Sequence, residues 1–252
     1  MDLPLMATLH HHAFCPHSRF VRLVLGEFDL EPELVEVRPW ERRQEFLMLN
    51  PAGDAPVLEA DGALHPDSDA EGDAPADAAP LVLSGAAVIN EYVDELLGAR
   101  HPDRRLLPGG IAARAEARRL TAWFNEKFFA EVTTYLCTEK IYKRFMATEL
   151  GGGPPDMNGV RAARANVRYH LRYIGFLLRD APFLAGGRLT SADLAAAAHL
   201  SCVDYLGDVP WGEDEAAAAW YGRIKSRPSF RTLLQDLVPG MAPAASYTRL
   251  NV

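Results

Sequence analysis

The sequence predicts two domains of different class, a small α/β domain followed by an all-α domain. Strand-like and helix-like stretches alternate up to about Gly98, whereas the chain after residue 110 shows helical spacing of apolar residues nearly to its end. A connection rich in proline and glycine, residues 101–110, separates the two patterns. We therefore expect an α/β domain over residues 1–100 and a helical domain over residues 108–252.

The first domain is predicted to contain four short strands and two helices. Pro16 to Phe28 carries apolar residues at the spacing of one helix face, and Val88 to Leu97 does the same. Gly98 stands where a glycine commonly ends a helix. The predicted strands are Ala7–His11, Leu34–Val37, Val57–Glu59 and Leu81–Leu83.

An acidic segment interrupts this domain before its last strand. Residues 65–80 are rich in alanine, proline and aspartate and contain no large apolar side chain. A segment of this composition buries too little apolar surface to offset the entropy lost on ordering. We predict a solvated loop insertion whose removal leaves the fold intact.

The second domain is predicted to hold four helices and an irregular tail. Thr190 opens the third helix, and Asp193 three residues later completes a capping box. After Leu237 the chain contains prolines and a glycine without helical spacing, which predicts an irregular tail. The predicted helices cover Ile111 to about Met146, about Val160 to Arg179, a stretch from Thr190, and about Asp214 to Ser226.

Charge and composition exclude several classes of protein. A formal net charge of -8 argues against nucleic acid as the main partner. No apolar run approaches the roughly 20 residues that span a bilayer, and the N-terminus lacks the pattern of a signal peptide. The three cysteines, at positions 15, 137 and 202, are too few and too scattered for a disulfide framework. We predict a cytoplasmic protein without membrane insertion.

The first candidate site is the stretch FCPHSRF, residues 14–20. With Pro16 at the first helical position, Cys15 lies at the N-cap, where backbone N–H groups and the helix dipole stabilise a thiolate. Arg19 adds positive charge one turn further. Because Ser18 stands in place of a second cysteine, the thiol could form a mixed disulfide but no internal one. Cys15 and Ser18 are thus the catalytic candidates, although a cysteine that fills space at a helix start explains the same pattern.

Two neighbouring features complete this region. His10 and His12 would lie on one side of a strand, but no further ligand stands at suitable spacing, so we predict no metal site. Pro56 directly precedes the third strand, where a cis bond would turn the chain and expose the backbone of Ala55 to a thiol peptide. An ordinary turn is the alternative.

The segments FCPHSRFVRLVL, NPAGDAPVLEADG, VINEYVDE, TSAD and WYGRIKSRPSF are spread over nearly the whole chain. Together they resemble the cytosolic glutathione transferases. The resemblance implies a thioredoxin-like N-terminal domain, an all-α C-terminal domain and a homodimer. In that dimer, the N-terminal domain of one chain meets the helical domain of the other.

The same resemblance casts doubt on glutathione binding. In that family an acidic residue and a serine, at the start of the helix after the fourth strand, hold the γ-glutamyl end of glutathione. The matching positions here are Gly85 and Ala86, and Ser84 lies one place too early. Since charge-assisted hydrogen bonds contribute about 1.5–3 kcal/mol each, the loss weakens binding considerably. We predict that no cofactor is required; if glutathione binds, the residues that would hold it are Ala55, Pro56 and Ser84.

A narrower resemblance rests on HHAFCPHSRFVRL, RPWERRQEFLMLNPAG, AWFNEKFF and DLAAAAHLSCVDYLGDVPW. These segments closely resemble the FzlA-like family, glutathione-transferase-like proteins of alphaproteobacteria that bind the tubulin homologue FtsZ. The resemblance implies a non-catalytic adaptor that binds FtsZ filaments, supports cell constriction and is recruited to the division site. The alternative is a glutathione S-transferase or thiol transferase that uses Cys15.

A basic stripe on the helix predicted from Val160 is one candidate for partner binding. Its arginines fall within an arc of roughly 80°, and apolar residues occupy another arc. A stripe of one sign on an acidic protein favours an acidic partner, although a solvated face explains most such stripes. The stripe consists of Arg161, Arg164, Arg168, Arg172 and Arg179.

Two further partner contacts are predicted outside the stripe. Trp40 stands among charges in RPWERR and is either an interface anchor or a lid over the thiol pocket; we favour the anchor. Near the end of the tail, Tyr247, Arg249 and Leu250 are residue types that anchor contacts. The FzlA-like resemblance implies that this end of the chain contacts FtsZ.

Overall fold

The structure is a computed structural model that describes residues 7–61, 64–65 and 79–249. The chain divides into two compact units, Met1–Leu106 and Leu107–Val252. Unit 1 combines a four-stranded sheet with helices, and unit 2 contains helices without a sheet in its described part, which confirms the predicted fold class. Most of the predicted acidic insertion, residues 66–78, lies outside the described residues. In the described part, no helix is long and apolar enough to cross a bilayer.

All four predicted strands are present, to within one residue at either end. The sheet has the order β2-β1-β3-β4, in which β1 pairs parallel with β2 and antiparallel with β3. A parallel pair needs a crossover connection, and α1, Pro16–Glu27, supplies it. The strands are β1 Thr8–His11, β2 Glu33–Glu36, β3 Val57–Ala60 and β4 Leu81–Ser84.

The remaining helices of unit 1 differ from the prediction at two points. A 3₁₀ turn, Pro39–Glu41, and the six-residue helix α2, Gln44–Leu49, follow β2. The helix α3 runs over Ala86–Arg100, so Gly98 lies inside it and does not end it. A Cβ atom on Gly98 would stand 2.8 Å from the Cγ atom of Arg105. The glycine therefore serves a close approach and not a helix cap.

The long helix predicted from Ile111 is divided into segments. It consists of α4, Ile111–Ala122, a π-helix, Trp123–Thr133, and α5, Thr134–Lys140, and it ends before Met146. Buried residues recur every four positions along it, a spacing that drifts around an α-helix of 3.6 residues per turn. In the π-helical segment each backbone N–H donates to the carbonyl five residues before it, which widens the turn. The recurring buried residues are Phe124, Phe128, Val132 and Leu136.

The core of unit 2 is α7, Ser191–Tyr205, whose residues are buried along its whole length. Its capping box is as predicted: Thr190 and Asp193 hydrogen-bond to each other's backbone N–H groups. Asp193 also accepts hydrogen bonds from the backbone N–H of Leu184 and from Nε1 of Trp220, both at 2.9 Å. The other helices are α6 Met157–Leu177, α8 Glu215–Lys225, α9 Arg231–Leu234 and α10 Ala245–Thr248.

Candidate functional site

The thiol end of unit 1, defined here as Cys15, Ser18, Arg19 and Ala55, begins as predicted. Cys15 is the N-cap of α1, with Pro16 following it. Its half-buried thiol makes no hydrogen bond to the N–H groups of the helix. The Sγ atom instead donates to the carbonyl oxygen of Ala55 at 3.6 Å. The peptide bond between Ala55 and Pro56 is cis.

The polar neighbours of the thiol are buried and hydrogen-bonded within the chain. Ser18 has no exposed surface, and its hydroxyl accepts a hydrogen bond from the backbone N–H of His12 at 3.3 Å. Arg19 is also fully buried; its Nε donates to the carbonyl of Ala13 at 2.7 Å and its guanidinium lies over the Phe14 ring. Both side chains therefore hold the loop before α1. The catalytic role predicted for Ser18 is corrected to a structural one.

The histidines of β1 and the following loop are also packed against other groups. The Nε2 atoms of His11 and His12 each lie 3.6 Å from the carboxylate of Glu36. Burial, reinforced by nearby arginines, lowers the pKa of His11 to about 3 and that of His12 to about 4. Nε2 of His10 hydrogen-bonds to Glu59 at 2.6 Å. Within the described ranges, no group of three His, Cys, Asp or Glu side chains could hold a metal ion.

Trp40 is half-buried and packs edge-on against the ring of His12, with the ring centroids 5.3 Å apart. This contact fixes the indole beside the start of the loop before Cys15, and the interface anchor and the lid both stay predictions. A separate cavity of about 330 Å³ lies between β2 and α2, with Phe46 and Leu49 among its lining residues. Neither Cys15 nor Trp40 lines that cavity.

The start of α3 lacks the groups that would hold the γ-glutamyl end of glutathione. Gly85 has a φ of +90° and is exposed, and its N–H donates to the carbonyl of Pro56 at 3.1 Å. Ala86 is buried, and neither residue carries a polar side chain. Ser84 is exposed at the end of β4, opposite Val57. A single hydroxyl therefore remains at this position.

The tail of unit 2, residues 238–249, is irregular as predicted up to Ala244 but ends in a short helix that was not predicted. The tail forms α10, and Tyr247 within it is 1% exposed. The Tyr247 hydroxyl donates to the carbonyl of Leu233 at 2.6 Å, and its ring packs 5.1 Å from the ring of Tyr205. Tyr247 is therefore a core residue, and its predicted contact with a partner is corrected. Arg249 is exposed, and Leu250 lies outside the described residues.

A buried lysine anchors the tail. Lys225 at the end of α8 is 1% exposed, and its Nζ donates to the carbonyl of Ser246 at 2.6 Å. The same Nζ lies 3.4 Å from the carboxylate of Asp204 and 5.6 Å from the ring centroids of both Tyr221 and Tyr247. Burial lowers the pKa of Lys225, while Asp204 acts to raise it. This cation therefore links α7, α8 and the tail.

Tyr205 on α7 fixes the first part of the tail. Its hydroxyl donates to the carbonyl of Met241 at 2.7 Å and accepts from the N–H of Val238 at 2.9 Å. The carbonyl of Tyr205 accepts a further hydrogen bond from the N–H of Ala244. The backbone from Val238 to Ser246 is thus held at four points, by Tyr205 and by Lys225.

The arginine stripe on α6 is divided by its ion pairs. Arg164 pairs with Asp208 and Arg168 with Glu213, each at 2.6 Å. Arg172 is exposed and forms no ion pair within the described part of the chain. The outer members differ again: Arg161 donates to Asn158, and the guanidinium of Arg179 lies over the Phe176 ring. The stripe is therefore not a uniform free basic surface.

Comparison with known proteins identifies the family. Residues 9–100 match the family model described as glutathione S-transferase, N-terminal domain. The chain is 43% identical over 244 residues to FtsZ-localized protein A of Caulobacter vibrioides, which covers 97% of each chain. The chain belongs to the FtsZ-localized protein A family. The family expected from its motifs is thereby confirmed.

Solved structures agree with membership in the FtsZ-localized protein A family. FzlA from C. crescentus superposes with a TM-score of 0.84 at 43% identity, over 98% of this chain and 100% of that one. A glutathione S-transferase from Sinorhizobium meliloti superposes with a TM-score of 0.87 at 44% identity and the same coverage. These matches confirm the glutathione-transferase fold, with a thioredoxin-like N-terminal domain and a helical C-terminal region.

Several polar residues that organise the tail do not stand out in the sequence. Lys225 lies four residues after Tyr221 on the buried face of α8, beside Trp220 and Ile224. A lysine on an apolar helix face is unusual unless it is paired, and this pattern could have indicated a buried partner. Asp204 lies on α7, where every position is buried. The alternation of buried and exposed residues that marks a helix face is therefore missing, and the sequence does not show that Asp204 is buried.

Proposed function

We propose that this chain is a non-catalytic adaptor that binds FtsZ filaments, supports cell constriction and acts at the division site. The observation that carries the proposal is the 43% identity to FtsZ-localized protein A over 97% of both chains. We further propose that no cofactor is required. Gly85 and Ala86 offer no side chain for a glutathione carboxylate or ammonium group, and the thiol faces a backbone carbonyl.

The proposed filament contact lies at the tail end of unit 2. The tail is held against α7 and α8, and exposed Arg249 follows its last helix. Arg164 stands near the same end of the unit, because its partner Asp208 follows Gly207, which faces Ala244 of the tail. A rigid terminal segment loses less entropy on binding than a frayed one. Leu250 remains a proposed contact from the family resemblance.

We also propose that the adaptor is a homodimer. Unit 1 exposes Val82 on β4 and Val88 on α3, while unit 2 exposes Tyr169 and Phe176 on α6. Aromatic and aliphatic side chains of this kind are typical of the buried centre of a protein interface. Two identical filament contacts in one dimer would bridge two filaments with an avidity beyond that of either contact.

Co-sedimentation with polymerised FtsZ tests the adaptor proposal. We expect the full chain to pellet with filaments in the presence of nucleotide and to remain in the supernatant without them. Absence from the pellet even at low salt would refute the proposal. Sedimentation velocity at low micromolar concentration should show a dimer; a monomer alone would refute the dimer.

The half-buried thiol at a helix N-cap favours a second candidate function, a glutathione S-transferase or thiol transferase that uses Cys15. Glutathione affinity and turnover of an electrophilic model substrate separate the two. The adaptor proposal expects weak or absent turnover, which Cys15→Ser leaves unchanged. Submillimolar glutathione binding with turnover that Cys15→Ser abolishes would favour the enzyme.

A further inference from the structure

We infer that a group of cations around Asp208 is a receptor for carboxylate groups of an acidic partner segment. The group, called here the Asp208 cluster, consists of Lys140, Arg144, Arg164 and Asp208. The inference rests on the proposed function for the identity of the partner, FtsZ. It goes further by naming the residues that receive the partner and the chemistry that they recognise.

The first argument is a surplus of positive charge. The carboxylate of Asp208 forms ion pairs with two cations. Lys140 Nζ lies 2.6 Å from its Oδ2 atom, and the Arg164 guanidinium lies 2.6 Å from its Oδ1 atom. Across the described ranges, neither cation pairs with another carboxylate, and Arg144 pairs with none. Two cations therefore share one anion, and Arg144 adds a third cation without a carboxylate partner in the described part, on a chain whose net charge is -8.

The second argument is the position of these charges. The Asp208 side chain is 2% exposed, whereas the side chain of Arg164 is 44% exposed and that of Lys140 is 21% exposed. The anion is thus enclosed and its two cations face outward. An incoming carboxylate meets guanidinium and ammonium donors that an internal anion already holds in place, so little side-chain entropy is lost on binding.

The third argument is contact with the tail. Arg144 donates to the carbonyl of Gly240 at 3.3 Å. Gly207, which precedes Asp208, has a φ of +71°, and a Cβ atom there would stand 3.3 Å from the Cβ atom of Ala244. The cluster and the anchored tail therefore form one continuous surface. A partner segment that contacts the tail can reach the cluster.

The partner chemistry follows from these three arguments. The outward-facing cations hold a fixed geometry on an otherwise acidic protein. They therefore attract a segment that is rich in aspartate and glutamate. Arginine adds bidentate recognition of carboxylates, which lysine cannot supply. We therefore assign the cluster to an acidic segment of the filament.

The experiment compares three variants of the full chain in FtsZ co-sedimentation and in binding of a fluorescein-labelled hexaglutamate peptide by anisotropy. The double variant Lys140→Gln/Arg164→Gln keeps amide donors for Asp208 and removes both charges. Asp208→Asn keeps one acceptor oxygen to hold the cations and removes the negative charge that competes for them. Arg172→Gln is the matched control, since it removes an exposed arginine of the same helix that lies outside the cluster. Thermal melts establish that each variant is folded.

We expect the double variant to weaken binding about tenfold, the strength of one or two charge-assisted contacts. Asp208→Asn should strengthen binding several-fold and steepen its loss with salt, and Arg172→Gln should stay within about twofold of the unmodified chain. The inference is overturned if the double variant binds both probes normally. It is also overturned if Asp208→Asn, still folded, binds more weakly, or if Arg172→Gln loses as much as the double variant.

The two probes separate the two proposals. If the unmodified chain does not pellet with FtsZ but binds hexaglutamate in the predicted order of variants, the cluster is supported and the FtsZ adaptor proposal fails. If the chain pellets with FtsZ while the double variant is unaffected, the adaptor stands and the cluster fails.

Discussion

The thiol end of unit 1 and the tail end of unit 2 both depend on buried polar side chains, but they use them differently. At the thiol end, Ser18 and Arg19 bond to the backbone of their own loop, and the Cys15 thiol bonds to the carbonyl of Ala55. At the tail end, Lys225 fixes a terminal segment. Of the two cations on Asp208 there, Arg164 is exposed and Lys140 is partly exposed.

This difference shows why a motif does not by itself establish an activity. The segment FCPHSRF keeps the spacing of a thiol site, yet its polar groups are satisfied inside the unit and few remain for a substrate. The tail shows no motif, yet it is fixed in place beside a surplus of charge. A surface can bind a partner through those polar groups that are not already hydrogen-bonded or paired within the chain.

The largest predicted effect comes from two truncations of the tail. Deleting residues 246–252 removes the core side chain of Tyr247 and the carbonyl that accepts from Lys225. Loss of a buried aromatic costs about 3–5 kcal/mol, and an uncompensated buried charge adds to it. We expect a marked fall in the melting temperature, measured by circular dichroism, and loss of FtsZ co-sedimentation.

Deleting only residues 249–252 is the matched control. This truncation keeps Tyr247 and its hydrogen bond to Leu233, so the melting temperature should stay nearly unchanged. FtsZ co-sedimentation should still fall severely if the end of the chain contacts the filament. Normal pelleting of this shorter deletion would show that residues 249–252 do not contact FtsZ.

The anchor itself is tested by Lys225→Met, which keeps a long apolar stem and removes the ammonium group. Asp204 then loses one charge partner, although Nε1 of Trp211 still donates to it at 2.9 Å. Removing one partner of a buried pair costs about 3–5 kcal/mol, and the retained donor places the expected loss at the lower end. Urea unfolding measures the loss.

Hydrogen exchange of the tail distinguishes the anchor from a general core effect. In Lys225→Met, amides of residues 238–248 should exchange faster relative to those of α7. Equal acceleration in both segments would contradict a specific anchor. Lys225→Arg, which keeps the charge, should retain more of the protection.

Most of the fold followed from the sequence, because strand alternation, helical spacing and the Thr190 capping box are local signals. The exceptions have particular physical reasons. The helix α2 has six residues, too few for a periodic pattern, and only Phe46 in it is buried. The π-helix begins and ends inside a continuous helix, so no capping residue marks it.

The candidate site was less predictable, because it depends on contacts between distant parts of the chain. The sequence predicts Tyr247 at the surface, because prolines and a glycine precede it. Its burial depends on Leu233, Tyr205 and Lys225, which no local pattern connects to the tail. Likewise, the stripe on α6 has uniform charge in sequence, and only the fold shows that Asp208 and Glu213 take up two of its members.

Acidification should destabilise the thiol end through two histidines. His11 and His12 have pKa values lowered to about 3 and about 4, so between these values and 6.5 the unfolded chain binds more protons than the folded one. The free energy of unfolding therefore falls as the pH drops below 6.5, by up to about 1.4 kcal/mol per pH unit for each histidine.

Melting temperatures between pH 7 and pH 5 measure this dependence. His12→Asn should reduce the slope, because asparagine can accept the hydrogen bond that Nδ1 of His12 accepts from the N–H of Phe14 but does not titrate. The exposed His101→Asn should leave the slope unchanged. An unchanged slope in His12→Asn would assign the acid sensitivity to other groups.

The smallest predicted effect concerns the residues that look most like an active site. Ser18→Ala removes one buried hydrogen bond to the N–H of His12 and should cost about 1 kcal/mol. Cys15→Ala removes a half-buried thiol that donates a long hydrogen bond to the carbonyl of Ala55. It should lower the free energy of unfolding by less than Ser18→Ala does. Neither change touches the tail, so both variants should pellet with FtsZ as the unmodified chain does. If Cys15→Ala abolished pelleting while its melting temperature was unchanged, the thiol end would belong to the filament contact, and the division of roles between the thiol end and the tail end would be wrong.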